Sequence, residues 1–288
     1  MKLLKQRGMV VGNTQETEIF LKHVSYYRLR AYLVPFEKPG ETSGKHFFKV
    51  NTKFEDVQVL YDFDRELRLL MLDAIERIEI ALRSEWANYM AIQFGPHGYL
   101  QETHYADVTK FHSDKRILEN EYRRSQDDFT RYYRDNFSTP NLPPVWMATE
   151  LMSFGTLSKF IKNLNESTRK RIARSFIPEK SHTLNEGVLF SFIHHLCIVR
   201  NICAHHGRLW NRKIPVPFGL PRRPRDLSDA ISCDNQNGEW VKPYNTLVMI
   251  NHLLTSIVPD NDWKKKVVEL ISMNAQVVNP GKMGFPDN

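Results

Sequence analysis

The chain has 288 residues, enough to bury a large core as one or two domains. Hydrophobic residues make up 41% and charged residues 25%, which excludes a disordered chain, and a net charge of +7 favours a polyanionic partner. No apolar run approaches the roughly eighteen residues of a membrane span, and the apolar stretch in MKLLKQRGMVVGN is too short for a signal peptide.

Helical periodicity dominates the chain, and an all-α fold is expected. A first helical pattern covers 14–34. Thr52-x-x-Glu55 reads as a capping box. After it, Leu60, Phe63, Leu67, Leu70, Met71, Ala74, Ile78 and Leu82 recur at threes and fours as one apolar stripe, ending at Gly95-Pro96. Unbroken, this helix would be about 40 residues and roughly 60 Å long, so a bend or break is expected within it. Further helices are predicted over 114–136 (capped by Ser113), 145–152, 156–174, 246–258 and 262–273. Residues 159–174 are basic, carrying Lys159, Lys162, Arg169, Lys170, Arg171 and Arg174 against Glu166 alone. Taken by itself, that cluster reads as a solvated helix face.

Thr183-x-x-Glu186 is a second capping-box pattern, opening a helix whose stripe is Val188, Phe192, Leu196, Val199 and Cys203. His194, Asn201 and His205 fall within about 40° of one another on the side away from that stripe. The helix closes on Arg200-Asn201-Ile202-Cys203-Ala204-His205-His206. A guanidinium grips phosphate with a planar fork of donors, and an imidazole moves protons near neutral pH, so the stretch holds the parts for cutting a phosphodiester without a metal. On an ideal helix Arg200 and His205 diverge by about 140°. Three arrangements reconcile them: Arg200 wraps around the helix, the helix distorts or ends before Gly207, or two subunits build one site. His206 would point back at the apolar stripe, as a buried structural or supporting residue.

Residues 207–243 break the helical theme, and their prolines and glycines predict a loop with a hairpin at Asn237-Gly238. Arg208, Arg212, Lys213, Arg222, Arg223 and Arg225 lie there with Trp210 and Phe218 interleaved, a pattern suited to phosphates and stacked bases. Three cysteines, Cys197, Cys203 and Cys233, argue against a disulfide framework and fit a reducing, cytoplasmic setting. Cys197 and Cys203 diverge by about 120° on one helix, and no paired Cys/His segment accompanies them, so no metal and no cofactor are expected.

The Arg200-to-His205 spacing resembles the R-x4-6-H signature of the HEPN superfamily, whose members are mostly RNases. The longer string RNICAHHGRLWN resembles the Abi-like (AbiD/AbiF) abortive-infection proteins of bacteria. KLLKQRGMVV, VSYYRLRAYLVPFE, LYDFDRELRLLMLDAIERIEIALR and WMATELMSFGTLSKF agree with it in family order, from Lys2 to Asn211.

One HEPN-type domain is expected over 1–288, with an N-terminal helical segment (1–50), a helical core (52–206), a basic loop segment (207–243) and C-terminal helices (244–288), although the resemblance itself ends at Asn211 and the last third matches it only in length and helical character. The resemblance implies a homodimer that pairs its motifs across a two-fold axis. The activity implied is metal-independent endoribonuclease action in phage defence. Arg200, Asn201 and His205 would be catalytic. His206, His194 and one of Asp64 or Arg68 would support them, and RNA would lie on Arg208, Trp210, Arg212, Lys213, Arg222, Arg223 and Arg225. An antitoxin or a regulatory RNA or protein partner would restrain the enzyme. The other reading is a catalytically silent RNA-binding protein that holds a structured RNA.

Overall fold

The computed structural model describes residues 1–39, 46–176, 184–232 and 241–286. Cys233, Thr183 and the Asn237-Gly238 hairpin lie outside the described residues. Among those described, α-helices account for the architecture, and there is no β-strand. The chain begins with α1 (Lys2–Gln6), α2 (Thr14–Val24) and α3 (Tyr26–Leu33). The predicted 14–34 helix is thus two helices. Ser25 takes a positive φ of 62° between them, and its side chain accepts from the Arg28 amide.

The organising element is α4 (Phe54–Phe94), a continuous 41-residue helix. The expected bend or break does not occur, because no Gly or Pro interrupts the stretch and buried residues recur at threes and fours from Phe54 to Met90. Its start is one residue later than the sequence pattern suggests. The Lys53 amide donates to Asp56 at 3.3 Å, while Glu55 instead accepts from the Gly12 amide. Gly95, at φ 80°, ends the helix in a conformation that Pro96 then cannot continue as helix.

Next come α5 (Val108–Arg124) and α6 (Asp128–Asn136). Asp107, not Ser113, caps α5 by accepting from the Lys110 amide at 3.0 Å, and the Ser125–Asp127 turn splits the predicted 114–136 helix. After α7 (Val145–Leu151), the predicted 156–174 helix is likewise two, α8 (Phe154–Asn163) and α9 (Glu166–Phe176). Asn163 is drawn away at this break, its amide donating to the Asp107 carbonyl and its oxygen accepting the Asp107 amide.

The motif helix α10 (Glu186–Ala204) is capped by Asn185, which accepts from the Gly187 and Val188 amides. Phe192, Leu196, Val199 and Cys203 of the expected stripe are buried, and α10 packs on α4, α8 and α9. By length and composition α10 is apolar enough to cross a membrane, contrary to the sequence expectation, but half of that stretch is buried inside the fold as in a core helix. The short α11 (Arg225–Ala230) interrupts the predicted loop, and α12 (Pro243–Ile257) and α13 (Trp263–Met273) complete the chain against α4. The Trp263 indole donates to the Leu70 carbonyl at 2.8 Å and fixes α13 there.

Candidate active site at the end of the motif helix

Ala204 is the last residue of α10, and the chain leaves it through a tight C-terminal turn. The Gly207 amide donates to the Ile202 carbonyl at 2.8 Å and the His206 amide to the Cys203 carbonyl at 3.0 Å, the paired bonds of a Schellman motif. His206 occupies the left-handed position of that motif, at φ 57°. Glycine usually sits there, since a side chain in this region costs about 1–2 kcal/mol. The glycine comes one residue later, where a side chain would press within 3.1 Å of the Ile202 carbonyl. His206 is exposed, not buried as expected from an unbroken helix, because the turn carries it off the helical path.

Three anchors hold this turn. The Arg28 guanidinium donates to the His206 carbonyl at 2.7 Å and to the Tyr61 hydroxyl at 3.2 Å. Arg208 reaches back to the Ala31 carbonyl at 3.1 Å. Beneath them Asp64, fully buried, accepts the backbone amides of Leu209 (3.0 Å) and Trp210 (2.7 Å), the Tyr32 hydroxyl (2.6 Å) and the Arg68 guanidinium. Burial pushes the Asp64 carboxyl above its usual pKa, opposed by these donors, and it drives the Tyr32 phenol up as well. Asp64 and Arg68 therefore shape the turn from below and do not face solvent.

Above that platform, Arg200, Asn201 and His205 are all exposed on the last turn of α10. The Arg200 guanidinium approaches the Asn201 side-chain oxygen at 3.4 Å, and among the described residues it has no ion-pair partner. The His205 ring likewise meets no hydrogen-bonding side chain among them. An open guanidinium is the kind of group that holds a phosphate, and an open imidazole the kind that moves a proton. His194 is half-buried on the same face. Burial first, then the Lys162 and Lys159 ammoniums, push its pKa down. His195 next to it is a core residue between the Val216 carbonyl and the Thr246 hydroxyl (2.9 Å). Cys197 and Cys203 are buried thiols pushed up to about 12 by burial. Among the described residues no three His, Cys, Asp or Glu side chains gather as a metal site would require.

The expected RNA-binding set divides. Trp210 is 2% exposed and Phe218 is buried, so neither ring is available to a base, and the Arg208 guanidinium is engaged with α3. This corrects the expectation for Trp210 and Arg208: both serve the core and the turn. Arg212 is half-buried beside Gly207, whereas Lys213, Arg222, Arg223 and Arg225 are exposed. The segment also does not stay near His205. It doubles back along α10, where Val216 meets His195 and the Gly219 amide donates to Ser191 Oγ at 2.9 Å. Arg222 and Arg223 consequently lie at the opposite end of the helix, in a groove of about 540 Å³ shared with Lys170, Arg174 and Glu186. Arg28 and Tyr61 escaped the sequence reading, although both sit in or beside its quoted blocks.

The family match spans the residues that build this turn. A sequence model of the Abi-like protein family matches residues 19–211, from α2 through Arg28, Tyr32 and Asp64 to the end of the motif string. The chain belongs to the Abi-like family. Membership points this Abi-like chain towards abortive infection, the defence of bacteria against phage. Neither a curated protein nor a solved structure matches it.

Proposed function

We propose that this Abi-like protein is a metal-independent HEPN-type endoribonuclease, cytoplasmic and dimeric, that acts in phage defence. The observation that carries the reading is that Arg200 and His205 both present exposed heads at the C-terminal end of α10, where Asp64 and Arg28 fix the turn from below. Their chemistry follows from their types. An imidazole takes the proton from a ribose 2′-OH, the oxygen attacks the adjacent phosphorus, and a protonated imidazole returns a proton to the leaving 5′-oxygen. Arg200 holds the non-bridging oxygens as charge builds on them, with Asn201 orienting the guanidinium. The products are a 2′,3′-cyclic phosphate and a 5′-OH, and DNA is spared because it lacks the nucleophile. In an isologous dimer each chain supplies one His205, which divides the acid and base roles between two copies. An antitoxin or a regulatory RNA or protein partner keeps the enzyme silent until infection.

Incubating purified protein with mixed cellular RNA tests the proposal. Wild type should fragment the RNA, and His205→Ala, whose ring is exposed, should not. Equal fragmentation by both would remove His205 from the mechanism. RNA bound tightly by wild type but left whole would favour the silent RNA-binding reading instead.

A further inference from the structure

The face of α10 that carries Asn201 and His205 is partly open along the helix, with the Gly219 backbone of the returning segment bonded to Ser191 on it. Gly187, Ser191, His194, Ile198, Asn201 and His205 recur at threes and fours, and each is exposed or half-buried. Basic groups flank this stripe beyond the last turn. Lys159 and Lys162, both exposed on α8, lie close enough to His194 for their charge to bear on its ring. At the far end, the groove between α9 and the returning 220–223 segment presents Arg174, Arg222 and Arg223, all exposed and none ion-paired among the described residues. Lys170 joins them but is paired to Glu166, and among the described residues Glu186 is the one acid on the groove wall. The floor includes Leu220, Pro221 and Val188, apolar surface of the kind a base can lie against. The α10 N-terminus is not itself the attraction, because Asn185 already occupies its amides.

We infer that a single strand of RNA follows this stripe, its cleaved phosphate at Arg200 and His205 and its distal phosphates on Lys159, Lys162 and the Arg174–Arg222–Arg223 groove. The inference rests on the reading of RNA as the ligand, and it adds a length requirement that the last turn of α10 alone does not impose. The groove lies about 28 Å from His205, the length of a 19-residue helix at 1.5 Å per residue. At ~3.4 Å per stacked nucleotide, about eight nucleotides span it. Arg174 and Arg222, 48 residues apart in sequence, line one groove because the chain after Gly207 returns along α10.

The test uses full-length His205→Ala protein, so binding is read whether or not the chain cleaves RNA. Affinity for a labelled single-stranded RNA is measured by fluorescence anisotropy as its length rises from four to twenty nucleotides, over a salt series. Affinity should climb until about eight nucleotides and then level. Adding Arg174→Gln, Arg222→Gln and Arg223→Gln should weaken the twenty-nucleotide complex at least tenfold and flatten its salt slope by about 2, three contacts at ~0.7 each. An unchanged affinity and slope would overturn the track, as would an equal loss on the four-nucleotide RNA. Cleavage by wild type with no loss here would refute the track alone. Loss here without any cleavage by wild type would leave the track standing and refute the nuclease.

Discussion

The Asp64 carboxylate accepts the backbone amide of Trp210 at 2.7 Å across 146 residues of sequence. Through this bond and its partner at Leu209, the first third of α4 fixes the direction in which the chain leaves the motif turn. Breaking it should be costly, because the buried Arg68 would lose its counter-charge and two backbone amides their acceptor. Asp64→Ala is expected to lose about 3–5 kcal/mol of stability by urea denaturation. The double variant Asp64→Leu, Arg68→Met should recover part of that loss, since no unpaired charge remains. A double variant no better than Asp64→Ala would show that the amide bonds outweigh the charge pair.

His206 in its left-handed position gives a second expectation. His206→Gly relieves the side-chain strain and should leave stability unchanged or raised by about 0.5 kcal/mol, while His206→Val should lower it by about 1–2 kcal/mol. Thermal denaturation distinguishes the two. Equal losses would mean that the imidazole makes contacts worth more than the strain.

His195 makes the fold sensitive to acid. Burial lowers its pKa from 6.5 to about 4. Below about pH 6.5 the unfolded chain takes up a proton that the folded chain refuses. The stability present above that pH is lost as pH falls towards 4, by about 3 kcal/mol from this group. His195→Gln should be less stable at neutral pH yet lose less on acidification. An identical drop in both proteins would assign the acid sensitivity to other groups.

Much of this architecture was legible in the sequence, and the misses have physical causes. The stripe from Leu60 to Leu82 showed α4 because burial on one side repeats with the helical period. The expected break came from length alone, and nothing in 54–94 supplies one. Helix breaks at Ser25 and Ser125 were invisible because each depends on a side chain bonding backbone across a turn, and the break at Leu164–Asn165 because it depends on Asn163 bonding Asp107 56 residues away. The exposure of Asn201 and His205 follows from a polar line opposite an apolar one, a line that Arg200 does not join. Trp210 misled because an aromatic among basic residues reads as a stacking ring, and only the Asp64 anchor reveals that it is drawn into the core. The grip of Arg28 on His206 joins residues 178 apart, which no local pattern records.

Dimer architecture can be separated from chemistry by mixing variants. Arg200→Ala and His205→Ala should each be inactive, with losses of about 10²- to 10⁴-fold, and should still fold because both side chains are exposed. If one site takes Arg200 from one chain and His205 from the other, mixing them should restore activity. A dimeric mixture that stays inactive would show that both His205 copies are needed, and a fully active monomer would contradict the dimeric site.

The most direct measurement of the central claim is the chemistry of the cut ends. Wild-type protein is incubated with RNA in excess EDTA, beside the same RNA carrying a 2′-deoxy sugar at the cleavage position. The account predicts cleavage of the all-ribose RNA to 2′,3′-cyclic phosphate and 5′-OH ends, and no cut at the deoxy position. Cleavage that requires a divalent ion, or that continues at the deoxy sugar, would contradict it.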